Sequence, residues 1–208
     1  MPNGIFNISQ DFVRVFEDWA IYTAIFIGVI IGLMKSWSKL KTYLKMDNFF
    51  IVHSEIHELL TELRLVTDSA RAQIIQLHNG EYFMDGVSMR KFSLTHESLE
   101  KGIASDGSRI RGFLCSMFIP LLNLVVEDDA KLHYTQDLKD SYFKQYLESR
   151  NVEAFSVIPI WIQNEITGFL MIQWCSSLKA EIVDKTLAVH EITKIRNSVA
   201  IQLGLQTK

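Results

Sequence analysis

The segment His78-Asn-Gly-Glu-Tyr-Phe-Met-Asp-Gly86 gathers an imidazole, a side-chain amide, two carboxylates and a phenol in nine residues. Ligand sites combine a few convergent polar groups with apolar walls, and Phe83 offers a wall here. Ser93, Thr95 and Glu97 follow at alternate positions, so one strand would present all three to one side. The candidate ligand set is therefore His78, Asn79, Tyr82, Phe83, Asp85, Ser93, Thr95 and Glu97. A plainer use of His78 and Asn79 is to fix a turn by bonding nearby backbone groups.

Other chemistry is thinly represented. His53 and His57 stand four apart, on one face of a helix, as a metal-binding pair would. A third ligand at a suitable spacing is missing, and a solvated helix face accounts for the pair. Cys115 and Cys175 lie in apolar surroundings, where a free thiol behaves as a small hydrophobe. Glu127-Asp-Asp129 reads as a helix end in solvent. No nucleophile elbow, phosphate-cradling glycine loop or paired-cysteine motif is found. The expectation is a non-enzymatic protein with no metal and no cofactor.

The chain has 208 residues, a formal net charge of −3 and 48% hydrophobic residues. That balance excludes disorder over most of its length. It also argues against a nucleic-acid partner, which calls for a basic surface. The apolar excess is concentrated. No charged residue falls between Asp18 and Lys35. The run approaches the roughly 17–20 residues that a spanning helix needs. Trp19 and Trp37 flank it, as interfacial aromatics do, and Lys35 can snorkel to the headgroups. It is apolar all round, unlike a helix of a small soluble domain. Acidic residues precede it and no small-residue cleavage site follows, so a retained anchor is expected rather than a signal peptide. Lys35, Lys39, Lys41 and Lys45 follow the span, whereas Arg14 alone precedes it. The positive-inside bias then puts the C-terminal bulk in the cytoplasm, below the cell (inner) membrane. The same lysines suit an anionic lipid surface.

Four segments follow from this reading. Residues 1–18 form a short amphipathic stretch, 19–37 the anchor, 38–70 a basic juxtamembrane segment and stalk helix, and 71–208 a folded domain. In the stalk, Ile56, Leu59, Leu60, Leu63 and Val66 recur at helical spacing. Ala72–Leu77 predicts a strand that His78-Asn-Gly80 ends, and Met89–Glu97 a second. Lys101–Arg111 reads as a loop. Ile110–Val126 predicts a helix interrupted or bent by Pro120. Leu132–Tyr134 suggests a short edge strand, and Ser141–Arg150 a helix. Ala154–Ile162 and Thr167–Trp174 are strands joined at Gln163-Asn-Glu165 in a tight hairpin. Ala180–Leu205 predicts one long helix, whose Ala188, Ile192, Ile195, Val199 and Leu203 approach a heptad seam. The order implies an α+β fold, an antiparallel sheet with flanking helices. The stripes at Ile56–Val66 and Ala188–Leu203 either pack on the chain's own sheet or pair across a two-fold axis as a homodimer.

The order of elements, with the hairpin Val157-Ile-Pro-Ile-Trp-Ile-Gln-Asn-Glu-Ile-Thr-Gly-Phe-Leu-Met-Ile172 as its most specific piece, resembles a GAF-type domain, related to PAS sensors. Gly168 stands where that family's hairpin carries its glycine. The resemblance implies a GAF-like sheet behind one transmembrane helix, and a sensory or protein-interaction role with a small-molecule or protein regulator. The Asn-Lys-Phe-Asp-Glu motif of cyclic-nucleotide GAF domains is absent, and no chromophore cysteine is apparent. The whole-chain layout also resembles T-even phage holins, whose soluble domain receives an antiholin in the periplasm. That alternative implies a lysis-timing protein and the opposite topology.

Overall fold

The computed structural model describes the backbone of residues 5–82, 84, 86, 88–127, 130–182 and 185–206, and the side chains of residues 19, 21–40, 49–82, 84, 86, 88–127, 130–181 and 189–204. The chain divides into two compact units, Met1–Phe50 and Ile51–Lys208. Helix α1 is assigned over Ile5–Val66. In the first unit, Ile21–Leu40 is long and apolar enough to cross a membrane, and none of it is buried. Trp19 and Trp37 are exposed. The side chains of Lys41 and Lys45 lie outside those described.

The second unit is built on β1 (Arg71–Tyr82), β2 (Ser88–Leu99), β3 (Phe113–Leu114), α2 (Ile119–Glu127), β4 (His133–Tyr134), α3 (Tyr142–Ser149), β5 (Ala154–Ile162), β6 (Glu165–Trp174), α4 (Ser177–Ile182) and α5 (Lys185–Gln206). The strands form one sheet in the order β3-β2-β1-β6-β5-β4, and all its pairings are antiparallel. This is the α+β arrangement expected. The buried strands β5 and β6 are continuous apolar runs, and Gln163 and Asn164 between them have φ of 52° and 64°, as a two-residue hairpin turn requires.

Several elements differ from the sequence expectation. β1 runs on through His78, Asn79 and Gly80 to Tyr82, because β2 supplies partners as far as Tyr82↔Ser88. A Cβ at Gly80 would collide with the carbonyl oxygen of Met89, so this glycine permits a close strand approach rather than a turn. Ile110–Val126 is not one helix. It contains β3, a 3₁₀ turn at Cys115–Phe118 and then α2. Pro120 stands in the first turn of α2, where its missing N–H costs nothing, so it begins the helix instead of bending it. The helix expected over Ala180–Leu205 is two elements, α4 and α5.

Each face of the sheet has its own core. On one face Ile56, Leu60 and Leu63 of α1 pack with Ile192, Ile195, Val199 and Leu203 of α5 over Ala72, Ile74, Leu170 and Ile172. The stripe residues Ile56, Leu60 and Leu63 and Ile192, Ile195, Val199 and Leu203 are therefore spent on the chain's own sheet, and the part of α1 from Ile51 onward belongs with the domain. The opposite core is aromatic. Phe92, Phe118, Phe143, Phe155 and Phe169 fill it with Ile75, Leu121 and Met171.

Gly168 is buried where β6 pairs with both Gln76 of β1 and Ile160 of β5. A Cβ there would collide with the Ile75 carbonyl oxygen. The glycine is needed for backbone proximity, not for an unusual φ.

Strand β2 carries an irregularity that decides where side chains go. Ile74 faces His96 and Ile75 faces Leu94, so Thr95 is an extra residue. Such a bulge shifts the alternation of a strand by one. Phe92 and Leu94 point to the aromatic core. Past the bulge, Glu97 shares that face and His96 turns to α1.

Candidate functional site

Among the described residues, those singled out in the sequence do not all meet in one place. His78 and Ser93 do, with Nε2 and Oγ 2.9 Å apart. His78 Nδ1 also lies 3.2 Å from the Asn79 carbonyl oxygen, and the Gly112 N–H donates to Ser93 Oγ at 2.8 Å. This is an exposed cross-strand arrangement, of the turn- and edge-fixing kind. Tyr82 is exposed on the same strand. Phe83 and Asp85 lie outside the described residues. The bulge parts the remaining two. Thr95 bonds His96, whereas Glu97 reaches the loop between β2 and β3, taking a bond from the Asp106 N–H at 3.2 Å. Ser105 Oγ also donates to Glu97.

That loop holds a group the sequence reading passed over. Asp106 is wholly buried. Its Oδ1 lies 2.6 Å from Arg150 Nε and its Oδ2 lies 3.8 Å from Arg71 Nε. Neither Nε has hydrogen-bond geometry, so the attraction is Coulombic. Oδ2 accepts from Tyr146 Oη at 3.0 Å and from Gln73 Nε2 at 3.2 Å. Burial first, and then the Asp106 charge and hydrogen bond, push the Tyr146 phenol well above its ordinary pKa. It therefore stays a neutral donor. Arg150 Nη2 donates to the carbonyls of Ala104 at 2.8 Å and Ser105 at 3.4 Å. The loop, strand β1 and the end of α3 are thus tied at one carboxylate.

Beside this network is an open pocket of about 280 Å³, lined by Arg109, Phe113, Tyr142, Gln145, Tyr146, Ser149 and Arg150. Tyr142, Gln145, Tyr146 and Ser149 follow helical spacing, so they form one face of α3. Phe118 holds the aromatic wall, with Phe113 stacked at 5.2 Å and Tyr142 edge-on at 5.1 Å. The lining has two guanidiniums and no carboxylate. Behind it, Asp106 balances Arg150.

A second polar cluster lies on the other face. His53 Nδ1 and His96 Nε2 are 2.6 Å apart, with the rings stacked at 4.8 Å. Thr95 Oγ1 donates to the Ile74 carbonyl at 3.3 Å and so can accept from His96 Nδ1 at 3.0 Å. This assigns the Nδ1–H tautomer to His96, with His53 donating to Nε2. His96 adds a third imidazole to the His53–His57 pair. Among the described residues, however, no three His, Cys, Asp or Glu side chains are placed to hold a metal ion. Of the two thiols, burial raises the pKa of Cys115, and Cys175 accepts from Arg71 Nη1 at 3.7 Å.

Burial, then the nearby His53 and His57, lower the His96 pKa from 6.5 to about 4. Between those values the unfolded chain binds a proton that the folded chain does not, so stability rises with pH there. Full stability is expected above about pH 6.5, with a decline as pH falls towards about 4. His96 keeps some contact with water, so the discounted effect is about 1–2 kcal/mol. Urea denaturation in detergent at about pH 7.5 and about pH 5 would read it, and His96→Gln should flatten the slope. Equal slopes in the two proteins would refute the assignment.

No protein-family model matches the sequence, and no curated protein matches it. Solved structures do resemble it in shape. The phycocyanobilin-bound GAF domain from a cyanobacterial phytochrome has a TM-score of 0.53 at 17% identity, over 74% of this chain and 85% of its own. A phycoerythrobilin-bound GAF domain, also from a cyanobacterial phytochrome, gives 0.55 at 15%, over 80% and 91%. The GAF domain of a two-component sensor histidine kinase from Bacillus halodurans gives 0.53 at 16%, over 72% and 91%. Identities this low speak for the fold and not for a shared ligand. The antiparallel sheet, its helical face and its loop-and-helix face together make this chain a GAF-type fold.

Proposed function

We propose that the protein is a membrane-tethered, non-enzymatic sensory or protein-interaction module with its domain on the cytoplasmic side of the cell membrane. The observation that carries this reading is a GAF-type fold whose loop-and-helix face has an open pocket with two arginines. The apolar helix Ile21–Leu40 and the lysines around its C-terminal end support the tether and its orientation. The pocket beside α3, rather than the His78–Asp85 segment, is the ligand position. The domain works as a homodimer through α1 and α5. Their buried stripes are committed to the sheet, so the exposed Leu65, Val66, Val189 and Ile201 would carry the contact. A regulator acts by preferring one arrangement of those helices over another.

Alkaline phosphatase and green fluorescent protein, fused after Lys208 in separate bacterial strains, would test the topology. Fluorescence without phosphatase activity is expected. Active phosphatase without fluorescence would overturn the reading and favour the holin-like layout.

A further inference from the structure

We propose that the pocket beside α3 binds a small aromatic carboxylate, with Arg109 as the residue that captures the carboxylate. The proposal rests on the sensory reading and names the ligand class of that same site. Three observations carry it. The lining pairs the cations Arg109 and Arg150 with no anion. Arg150 is already engaged by Asp106 and by two loop carbonyls. It is therefore held in place and is not free to grip a ligand. Arg109 is different. It is exposed, and among the described residues its guanidinium has no hydrogen-bond or ion-pair partner. A guanidinium is shaped to grip a carboxylate with two parallel bonds.

The rest of the pocket fixes the body of the ligand. Phe113 and Tyr142 present rings held by Phe118, so a planar apolar body has surfaces to stack on. The volume lies just below the roughly 300–1,000 Å³ of sites for drug-sized ligands, which suits a single substituted ring. Gln145 and Ser149 lie along the same face of α3 and can meet a polar ring substituent.

The test uses the full chain in detergent micelles and titrates 4-fluorobenzoate by fluorine NMR, with protein-free micelles as the blank. Saturable binding at one site per chain is expected. The neutral isostere 4-fluorobenzamide should bind at least tenfold more weakly. Arg109→Gln should weaken 4-fluorobenzoate about tenfold, and the fold should be kept, since the exposed Arg109 side chain forms no hydrogen bond or ion pair among the described residues. Arg109→Lys, which keeps the charge but not the fork, should fall between. Absence of saturable binding, equal binding of the amide, or an unchanged affinity in Arg109→Gln would each overturn the proposal. The fusion assay is independent of this titration. A cytoplasmic domain that ignores 4-fluorobenzoate would sink the ligand class alone, whereas a periplasmic one would sink the sensory reading itself.

Discussion

Replacing Asp106 by asparagine is expected to cost about 3–5 kcal/mol, a large part of the stability that a domain usually has. The amide is nearly the same size as the carboxylate, and its oxygen can still accept from Tyr146. What is lost is the one negative charge that faces two guanidiniums, both at least nine-tenths buried. Each would be left in a low-dielectric site with carbonyls and Gln173 as partners, and breaking a buried pair from one side is costly for that reason. The effect should spread, because loop 101–112, β1 and the end of α3 share this anchor. Urea denaturation of the full chain in detergent, followed by the near-ultraviolet circular dichroism of the aromatic core, would measure it. The triple change Asp106→Leu, Arg71→Met and Arg150→Met should recover most of the loss, since apolar replacements remove the uncompensated charge. A loss below about 1 kcal/mol for Asp106→Asn would mean that the guanidiniums reach water.

Phe118→Ala should cost about as much, roughly 3–5 kcal/mol. Phe118 is 2% exposed, and it meets Phe92 at 5.0 Å, Phe113 at 5.2 Å, Tyr142 at 5.1 Å and Phe143 at 6.3 Å. The truncation leaves a cavity with aromatic walls that cannot all close on it, and it also removes edge contacts worth about 0.5–1.5 kcal/mol each. Phe118→Leu should cost far less, about 1–2 kcal/mol, because volume is largely kept. The alanine variant should also loosen Tyr142 and Phe113, and so weaken 4-fluorobenzoate more than it weakens the sheet. If Phe118→Ala and Phe118→Leu denature at the same urea concentration, the ring is not the hub that its contacts imply.

What could be read from the sequence follows the physics of local signals. β5 and its turn were legible because a fully buried strand is a continuous apolar run and Asn164 readily takes the left-handed backbone of a tight turn. The amphipathic part of α1 was legible from Ile56, Leu60 and Leu63. β3 was not, because two residues leave no period to detect. The candidate site was mostly hidden. Asp106 sits between Ser105 and Gly107 in a polar loop, where an aspartate looks solvated. It is buried only because Arg71 and Arg150, distant in sequence, converge on it. Arg109 in the same loop gave no local signal either. His96 was passed over because its pairing with His53 depends on the shift at Thr95.

That shift has a consequence for any comparison of strand β2 between chains. In a strand without the extra residue, counting back from Leu99 and counting forward from Ser88 give the same inside-or-outside assignment. Here they do not. Positions before Thr95 and positions after it belong to two different frames. A homologue that lacks the insertion can be matched at Phe92 or at Glu97, but an ungapped alignment cannot satisfy both. Equivalence along this strand has to be assigned by the face a side chain occupies, and an aligned histidine at position 96 need not be an equivalent one.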